Sequence, residues 1–379
     1  MAQQIHSVIG VRVLVVTTDF PPAPGGIQTV LFKTISHFQS FEPIVVAPDH
    51  PHAEVFDRGA PFEIHRVPLG IRGSSRPARW ADLALLIGLS QAKSVQLRPN
   101  VLLCGHPFVS MVGWARKKTR KTPYAVCAYG RELLVKRRLL RTTLNGAGAI
   151  FSISRHTDNL LHDIGVLADR IVRLPLAPDA PIQESGNFGS GTMVTAARMD
   201  DLYKGHDVMI RAMPLVLAKV PKAHWVVIGG GTLRSYYERL ATSLGVSESI
   251  TFAGHVSRAE RDRLLAQADV MVMPSRDRQI DGGAEGFGLA YIEAGAAGKP
   301  VVGGRAGGVP DAVIDGVTGV LVDPEDPLEV AEAVIGMLKD LDRSKEMGEN
   351  GRKRVEENLS WERSANIVEE NLIRLLGSR

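Results

Sequence analysis

With 379 residues, 44% of them hydrophobic and 23% charged, the chain is too long for one ordinary core and reads as a globular protein of two domains. Its net charge of +4 is unevenly spread, because residues 1–190 hold 22 Lys and Arg against 13 Asp and Glu while the remainder holds 23 against 28. No apolar run reaches the length of a membrane span, and Met1-Ala-Gln-Gln-Ile-His6 lacks the charged and apolar regions of a signal peptide, so a cytoplasmic protein is expected.

Apolar runs rich in Val and Ile at 11–16, 44–46, 101–104, 124–128 and 150–153 read as buried parallel strands, each followed by a helical pattern. Cys104 and Cys127, the only cysteines, fall inside these runs and are expected to be reduced core residues. Directly after the first run comes Asp19-Phe-Pro-Pro-Ala-Pro-Gly-Gly-Ile27. Its prolines stiffen the loop, and Gly25 and Gly26 let backbone N–H groups approach a ligand at a helix start. A plain turn is the competing reading, and the spacing is not that of a dinucleotide loop. Basic residues then gather at Arg116, Lys117, Lys118, Arg120 and Lys121, and again at Lys136, Arg137 and Arg138. Such runs are either solvated helix faces or surfaces for an anionic membrane or acidic acceptor.

The polar, Pro- and Gly-rich stretch 178–191 marks the domain boundary. Runs at 193–196, 225–228, 270–273 and 300–302 repeat the strand pattern beyond it. Two doubly wound α/β domains are therefore predicted, with a cleft between the carboxyl ends of their strands. Arg198 and Lys204 follow the first strand of the second domain, and a guanidinium and an ammonium ahead of Gly205 and a helix suit a diphosphate. Gly230 lies in Gly229-Gly-Gly231 after the next strand, a weak signal alone; its spacing argues against a dehydrogenase. Then comes Glu285-Gly-Phe-Gly-Leu-Ala-Tyr-Ile-Glu293. Small residues at a helix start offer N–H groups to an anion, and eight positions, a little over two turns, let both carboxylates look toward one ligand. Eleven scattered histidines, without H-E-x-x-H or paired C-x-x-C, predict no metal site. From Ser360 the chain ends in an amphipathic helix.

Pro21-Pro22 with Gly25-Gly26, Arg198 with Lys204-Gly205, and Glu285-Gly-Phe-Gly-Leu289 with Glu293-Ala294 resemble the pattern of retaining glycosyltransferases of family 4. Gly298-Lys-Pro-Val-Val302 and Gly307-Gly308-Val-Pro-Asp311 belong to the same pattern. Across Met273-Pro-Ser-Arg-Asp-Arg278 to Gly288 the likeness is to bacterial mannosyltransferases acting on phosphatidylinositol-type acceptors. The resemblance implies the GT-B fold: two Rossmann-like domains facing each other across a cleft. Residues 1–180 would bind the acceptor, 181–359 the nucleotide sugar, and 360–379 would form a helix packing back toward the first domain.

It further implies that Arg198 and Lys204 hold the donor diphosphate, that Glu285 contacts the sugar and that Phe287, Gly288 and Leu289 cap the phosphates. Glu293 would bind the ribose, His255 and Val256 would read the base, and Gly25 and Gly26 would close on the diphosphate. The donor would be GDP-mannose or a UDP-sugar, the acceptor a lipid or small-molecule hydroxyl, with no cofactor, metal or nucleic acid. An anionic lipid acceptor and contact with the inner face of the membrane fit the basic runs. The family often carries His-Gly-x-Glu where this chain has Tyr129-Gly-Arg-Glu132, so Tyr129 takes the place of a histidine near the sugar. A nucleotide-sugar epimerase of the same fold and a non-catalytic sugar-nucleotide-binding partner are the competing readings.

Overall fold

The computed structural model of the chain describes residues 10–68, 76–134, 137–179, 188–278 and 283–377; of residues 76–80 and 137 it describes the backbone alone. Two compact units emerge, one taking in the chain up to Leu176 together with the segment from Trp361, the other running Ala177–Ser360. Lys136 and residues 180–187 and 279–282 lie outside the described residues.

The first unit runs β1 (Val11–Val16), α1 (Gly26–Ser36), β2 (Phe41–Pro48), α2 (Ala53–Arg58), β3 (Glu63–Val67), α3 (Arg76–Leu97) and β4 (Val101–Cys104). It continues with α4 (Ser110–Arg120), β5 (Tyr124–Cys127), α5 (Arg137–Gly146), β6 (Ala149–Ser152), α6 (Arg155–Ile164) and β7 (Ile171–Arg173). Its strands form a parallel sheet in the order β3-β2-β1-β4-β5-β6-β7. The second unit runs β8 (Thr192–Ala196), α7 (His206–Lys219), β9 (His224–Ile228), α8 (Arg234–Ser243), β10 (Ile250–Gly254), α9 (Arg258–Gln267) and β11 (Val270–Met273). There follow α10 (Leu289–Ala296), β12 (Val301–Gly304), α11 (Val309–Ala312), β13 (Gly319–Val322), α12 (Pro327–Lys339) and α13 (Leu341–Asn358). This sheet too is parallel, in the order β10-β9-β8-β11-β12-β13.

Both sheets are doubly wound, as the apolar runs predicted. The nine runs are the interior strands, buried on both faces and therefore continuous in Val and Ile. The four strands the runs did not reveal, β3, β7, β10 and β13, are the four sheet edges. Three of them mix polar residues into short segments, as in Glu63-Ile-His-Arg-Val67, because an edge strand faces water on one side.

In each sheet the strand order reverses once, between β1 and β4 in the first and between β8 and β11 in the second. Ligands of open α/β sheets bind at that point, beyond the carboxyl ends of the strands.

The last helix, α14 (Trp361–Gly377), belongs to the first unit. Glu369 on it accepts the backbone N–H groups of Gln39, Ser40 and Phe41 at 2.9, 2.6 and 3.2 Å, gripping the entry to β2. Among the described residues no helix is long and apolar enough to cross a membrane.

Candidate functional site

In the second unit the predicted residues sit on the loops leaving the carboxyl ends of consecutive strands. Arg198 and Lys204 follow β8, Gly230 follows β9, His255 and Val256 follow β10, and Glu285 follows β11. Lys204 and Glu285, 81 residues apart, form a direct ion pair between ammonium and carboxylate, both half-buried. That pair joins the loops of β8 and β11, which flank the switch point. The Lys204 ammonium also lies 4.9 Å from the centroid of the Tyr203 ring. Burial alone would lower the pKa of this lysine, but Glu285 and Tyr203 outweigh it and leave it above the ordinary lysine value. Arg198 stands exposed, paired with no carboxylate among the described residues.

Several contacts set the two loops against each other. The Arg276 backbone N–H donates to the Tyr203 carbonyl at 2.8 Å. Gly205 packs so closely on Pro274 that a Cβ there would stand 2.1 Å from the Pro274 carbonyl oxygen, which explains the glycine after Lys204. The Gly308 N–H donates to the Glu285 carbonyl at 2.7 Å, so the Gly307-Gly308 string supports the Glu285 loop from the neighbouring strand end.

Gly288 opens α10 with φ of +96° and no side-chain cap, so the amides at the start of the helix have no capping side chain. Phe287 and Gly288 are buried and Leu289 half-buried, so only their backbone amides can serve as predicted. Tyr291 anchors the helix by donating to the Met273 carbonyl at 2.8 Å.

Glu293, one turn further, looks elsewhere. Its carboxylate lies 3.4 Å from Arg261 on α9, and burial holds its pKa above the usual carboxylate value despite that partner, with Asp179 and Asp262 adding to the rise. The two glutamates thus belong to separate clusters, Glu285 with Lys204 and Glu293 with Arg261. His255 is exposed, and its ring packs against Gly230, where a Cβ would stand 2.4 Å from its Nε2. Lys299, in the resemblance's Gly298-Lys-Pro string, is a packing residue. It is buried at the amino end of β12, its ammonium 4.4 Å from the Phe188 ring, and burial lowers its pKa to about 8.

In the first unit the polar groups at the strand ends mostly close their own loops. Gly25 caps α1, and the neighbouring Asp19 accepts from Thr18 Oγ1 at 2.6 Å and from Gln28 Nε2 at 3.3 Å. Gly26 is the first residue of α1 and is exposed. Glu132 accepts the backbone N–H groups of Tyr129 at 2.6 Å and Gly130 at 3.1 Å, tying its own turn. Tyr129 is only 5% exposed, and its ring lines a small apolar cavity with Val30, Leu103, Cys127, Phe151 and Val368. Burial, with the Cys127 thiol and the Glu132 and Asp19 carboxylates nearby, holds its phenol well above the ordinary tyrosine value. Cys104 and Cys127 are both buried free thiols.

The basic surface needs one correction. Lys117, Lys118, Arg120, Lys121 and Arg138 are exposed, whereas Arg116 is 6% exposed and turned inward. On α4 it follows the buried Val112 and Gly113 by four and three positions, which puts it on their face. Lys136 lies outside the described residues, as does the side chain of Arg137. A concavity lined by Trp114, Lys117, Lys118, Lys121 and Arg141 opens beside the basic end of α4. Among the described residues no group of three His, Cys, Asp or Glu side chains is arranged to hold a metal ion.

Sequence reasoning missed Tyr203, whose ring lies against Lys204, and the Arg276–Asp207 pair that holds the Tyr203–Asp207 turn. Their only signal was proximity in sequence to Lys204 and to the β11 loop.

Two family models match the chain, the glycosyl transferase 4-like domain over residues 10–177 and glycosyl transferases group 1 over residues 183–354. The GDP-mannose-dependent alpha-(1-6)-phosphatidylinositol monomannoside mannosyltransferase of Mycolicibacterium smegmatis is 30% identical over 377 residues, covering 94% of this chain and 97% of that protein. A GDP-mannose-dependent monoacylated alpha-(1-6)-phosphatidylinositol monomannoside mannosyltransferase of Corynebacterium glutamicum is 31% identical, covering 97% and 98%. Among solved structures, sucrose-phosphate synthase from Thermosynechococcus elongatus superposes with a TM-score of 0.76 at 19% identity, over 97% of this chain and 100% of that one. Anabaena HepE in complex with UDP and glucose gives 0.76 at 17%, over 96% and 99%. At such identities these two likenesses concern the fold alone.

Proposed function

Because the chain belongs to the glycosyltransferase family whose group 1 and 4-like domains it carries, we propose that it moves mannose from GDP-mannose to a hydroxyl of a phosphatidylinositol-type lipid, with retention of anomeric configuration. The observation that carries the reading is the Lys204–Glu285 pair at the switch point of the second sheet, beside the uncapped start of α10. Together these groups answer the needs of a sugar diphosphate: a cation for phosphate, amides for its oxygens and a carboxylate for sugar hydroxyls.

Cleaving the sugar C1–O bond leaves the electron pair on the β-phosphate oxygen. Lys204 and Arg198, with the Phe287, Gly288 and Leu289 amides, neutralise that growing charge without a metal ion. Retention requires the acceptor oxygen to join C1 on the face the diphosphate leaves, so the departing phosphate oxygen is the nearest base for the acceptor proton. Glu285 orients the sugar and Glu293 accepts from the ribose hydroxyls. Gly25 and Gly26 add backbone amides to the diphosphate, and His255 and Val256 contact the base. Tyr129 packs the strand-end core of the first unit. On this reading the protein works at the inner face of the cell membrane, drawn there by Lys117, Lys118, Arg120, Lys121 and Arg138.

The test is a donor screen with phosphatidylinositol or its monomannoside in vesicles, with chelator present. Mannosylated lipid of α configuration from GDP-mannose is the expected product. Turnover with UDP-sugars alone would overturn the donor, a β product the stereochemistry, and loss of activity with chelator the metal-free chemistry.

A further inference from the structure

Lys204 and Glu285 stand on different loops, so their geometry is only as good as the register of those loops. One residue touches the Lys204 turn from both sides. Arg276, on the β11 loop nine positions before Glu285, donates its backbone N–H to the carbonyl of Tyr203, the residue preceding Lys204, at 2.8 Å. Its Nη2 donates to both carboxylate oxygens of Asp207, three residues beyond Lys204, at 2.9 Å each. Nη1 donates to Glu325 at 3.2 Å, fixing the guanidinium from behind.

We propose that Arg276 is a positioning residue that locks the Lys204 turn and the Glu285 loop in one register. The proposal rests on the glycosyl-transfer reading of that pair. Arg276 is 4% exposed, and a guanidinium buried that deeply is a costly way to gain stability, since apolar side chains of similar size pack as well or better. A planar fork, by contrast, fixes direction as well as distance, which a lysine ammonium cannot do. Neighbouring groups agree with this role. His206, next after Gly205, is buried between Tyr237 and Trp225, and burial followed by the nearby Lys204 charge lowers its pKa to about 3, so it adds no competing cation.

The test compares wild type with Arg276→Lys and Asp207→Asn in kcat, donor KM, melting temperature and pH–rate profile. Arg276→Lys is expected to lower kcat by about 10- to 100-fold, the cost of a misplaced reacting group, with donor KM changed by less than about threefold. Its alkaline limb should begin at lower pH, because a loosened Glu285 no longer holds the Lys204 proton. Asp207→Asn keeps the main-chain bond and should move both readouts the same way by less; it also stands in if Arg276→Lys does not fold. Reaction of Lys204 with an amine-acylating reagent at pH 9, mapped by mass spectrometry, reads the pair without turnover and should rise in both variants. Unchanged Lys204 reactivity overturns the proposal even where the chain proves to catalyse something else. So does a fall in kcat that only follows the folded fraction while the alkaline limb stays put. An inactive wild type with variant-sensitive Lys204 would instead count against the transfer reading.

Discussion

The two units share a sheet order through their sixth strand, the first adding a seventh, yet they spend their strand-end side chains differently. In the second, Lys204 and Glu285 reach across the switch point to each other, and Arg276 reaches from one loop to the other. In the first, Glu132 folds back on the amides of Tyr129 and Gly130, and Asp19 is tied by Thr18 and Gln28. The shared six-strand order therefore gives one end built for charge and one built for shape. The loops decide which, as expected when function is grafted onto a common fold.

The largest test of that contrast is Lys204→Ala. Removing a preorganised cation from the leaving group should lower kcat by about 100- to 1,000-fold, well beyond any loss that follows the folded fraction. Near-wild-type turnover would erase the distinction between the two ends. The wild-type pH dependence follows from the same pair. Because the Lys204 pKa is raised in the folded state, the pair's contribution to stability is complete below the ordinary lysine value and fades as pH climbs through the raised one. A melting curve of wild type against Lys204→Met across pH 8 to 11, read relative to that reference lysine range, would follow it.

How much of this was legible in the sequence depended on distance along the chain. Interior strands were readable because burial on both faces leaves no polar interruption, whereas the edges β3, β7 and β10 hid behind their polar residues. The glycine loops and the identities of Lys204 and Glu285 were readable as local strings. Their pairing was not, since 81 residues and three crossovers, through α7, α8 and α9, separate them. Two signals were present but unused. Arg116 stands four and three positions after the inward Val112 and Gly113, and Tyr129 alternates with the buried Cys127 on one face of the chain leaving β5.

Glu293 offers a smaller effect and a sharper sign. A glutamate whose pKa is raised by burial stabilises the fold only while protonated, so that contribution is lost as pH rises through the raised value. Glu293→Gln should therefore melt higher than wild type at pH 7, with the gap closing toward pH 4. The same change should raise the donor KM by about 10- to 100-fold if the carboxylate accepts from the ribose. A variant that is more stable yet still binds GDP normally would remove Glu293 from the donor site while leaving the electrostatics intact.

Weaker still are the surface charges of the first unit. Lys117→Glu and Lys118→Glu should each weaken binding to vesicles containing phosphatidylinositol by at least about fivefold per charge removed, with the loss shrinking as salt rises. Arg116→Gln should behave differently, altering stability rather than vesicle binding, since that side chain faces inward. Binding of wild type and all three variants to phosphatidylinositol vesicles with equal affinity would exclude an electrostatic role for this face.

The smallest expected effect tests the first unit's strand end most directly. Tyr129 is buried against Cys127, Phe151 and Val368, and its hydroxyl lies beside the Cys127 thiol, a weak hydrogen-bond partner. Deleting a buried hydroxyl whose partner is a thiol removes a desolvation cost along with a weak bond, so Tyr129→Phe should leave stability close to level. Turnover should stay within about twofold, because a contact made only through packing survives when ring and volume are kept. If the hydroxyl instead reached the sugar, kcat would fall by more than about tenfold, since a charged or strained sugar in the transition state binds such a donor most tightly. Measured beside Lys204→Ala, that value decides whether the Tyr129 hydroxyl contributes chemistry or only packing within the first unit.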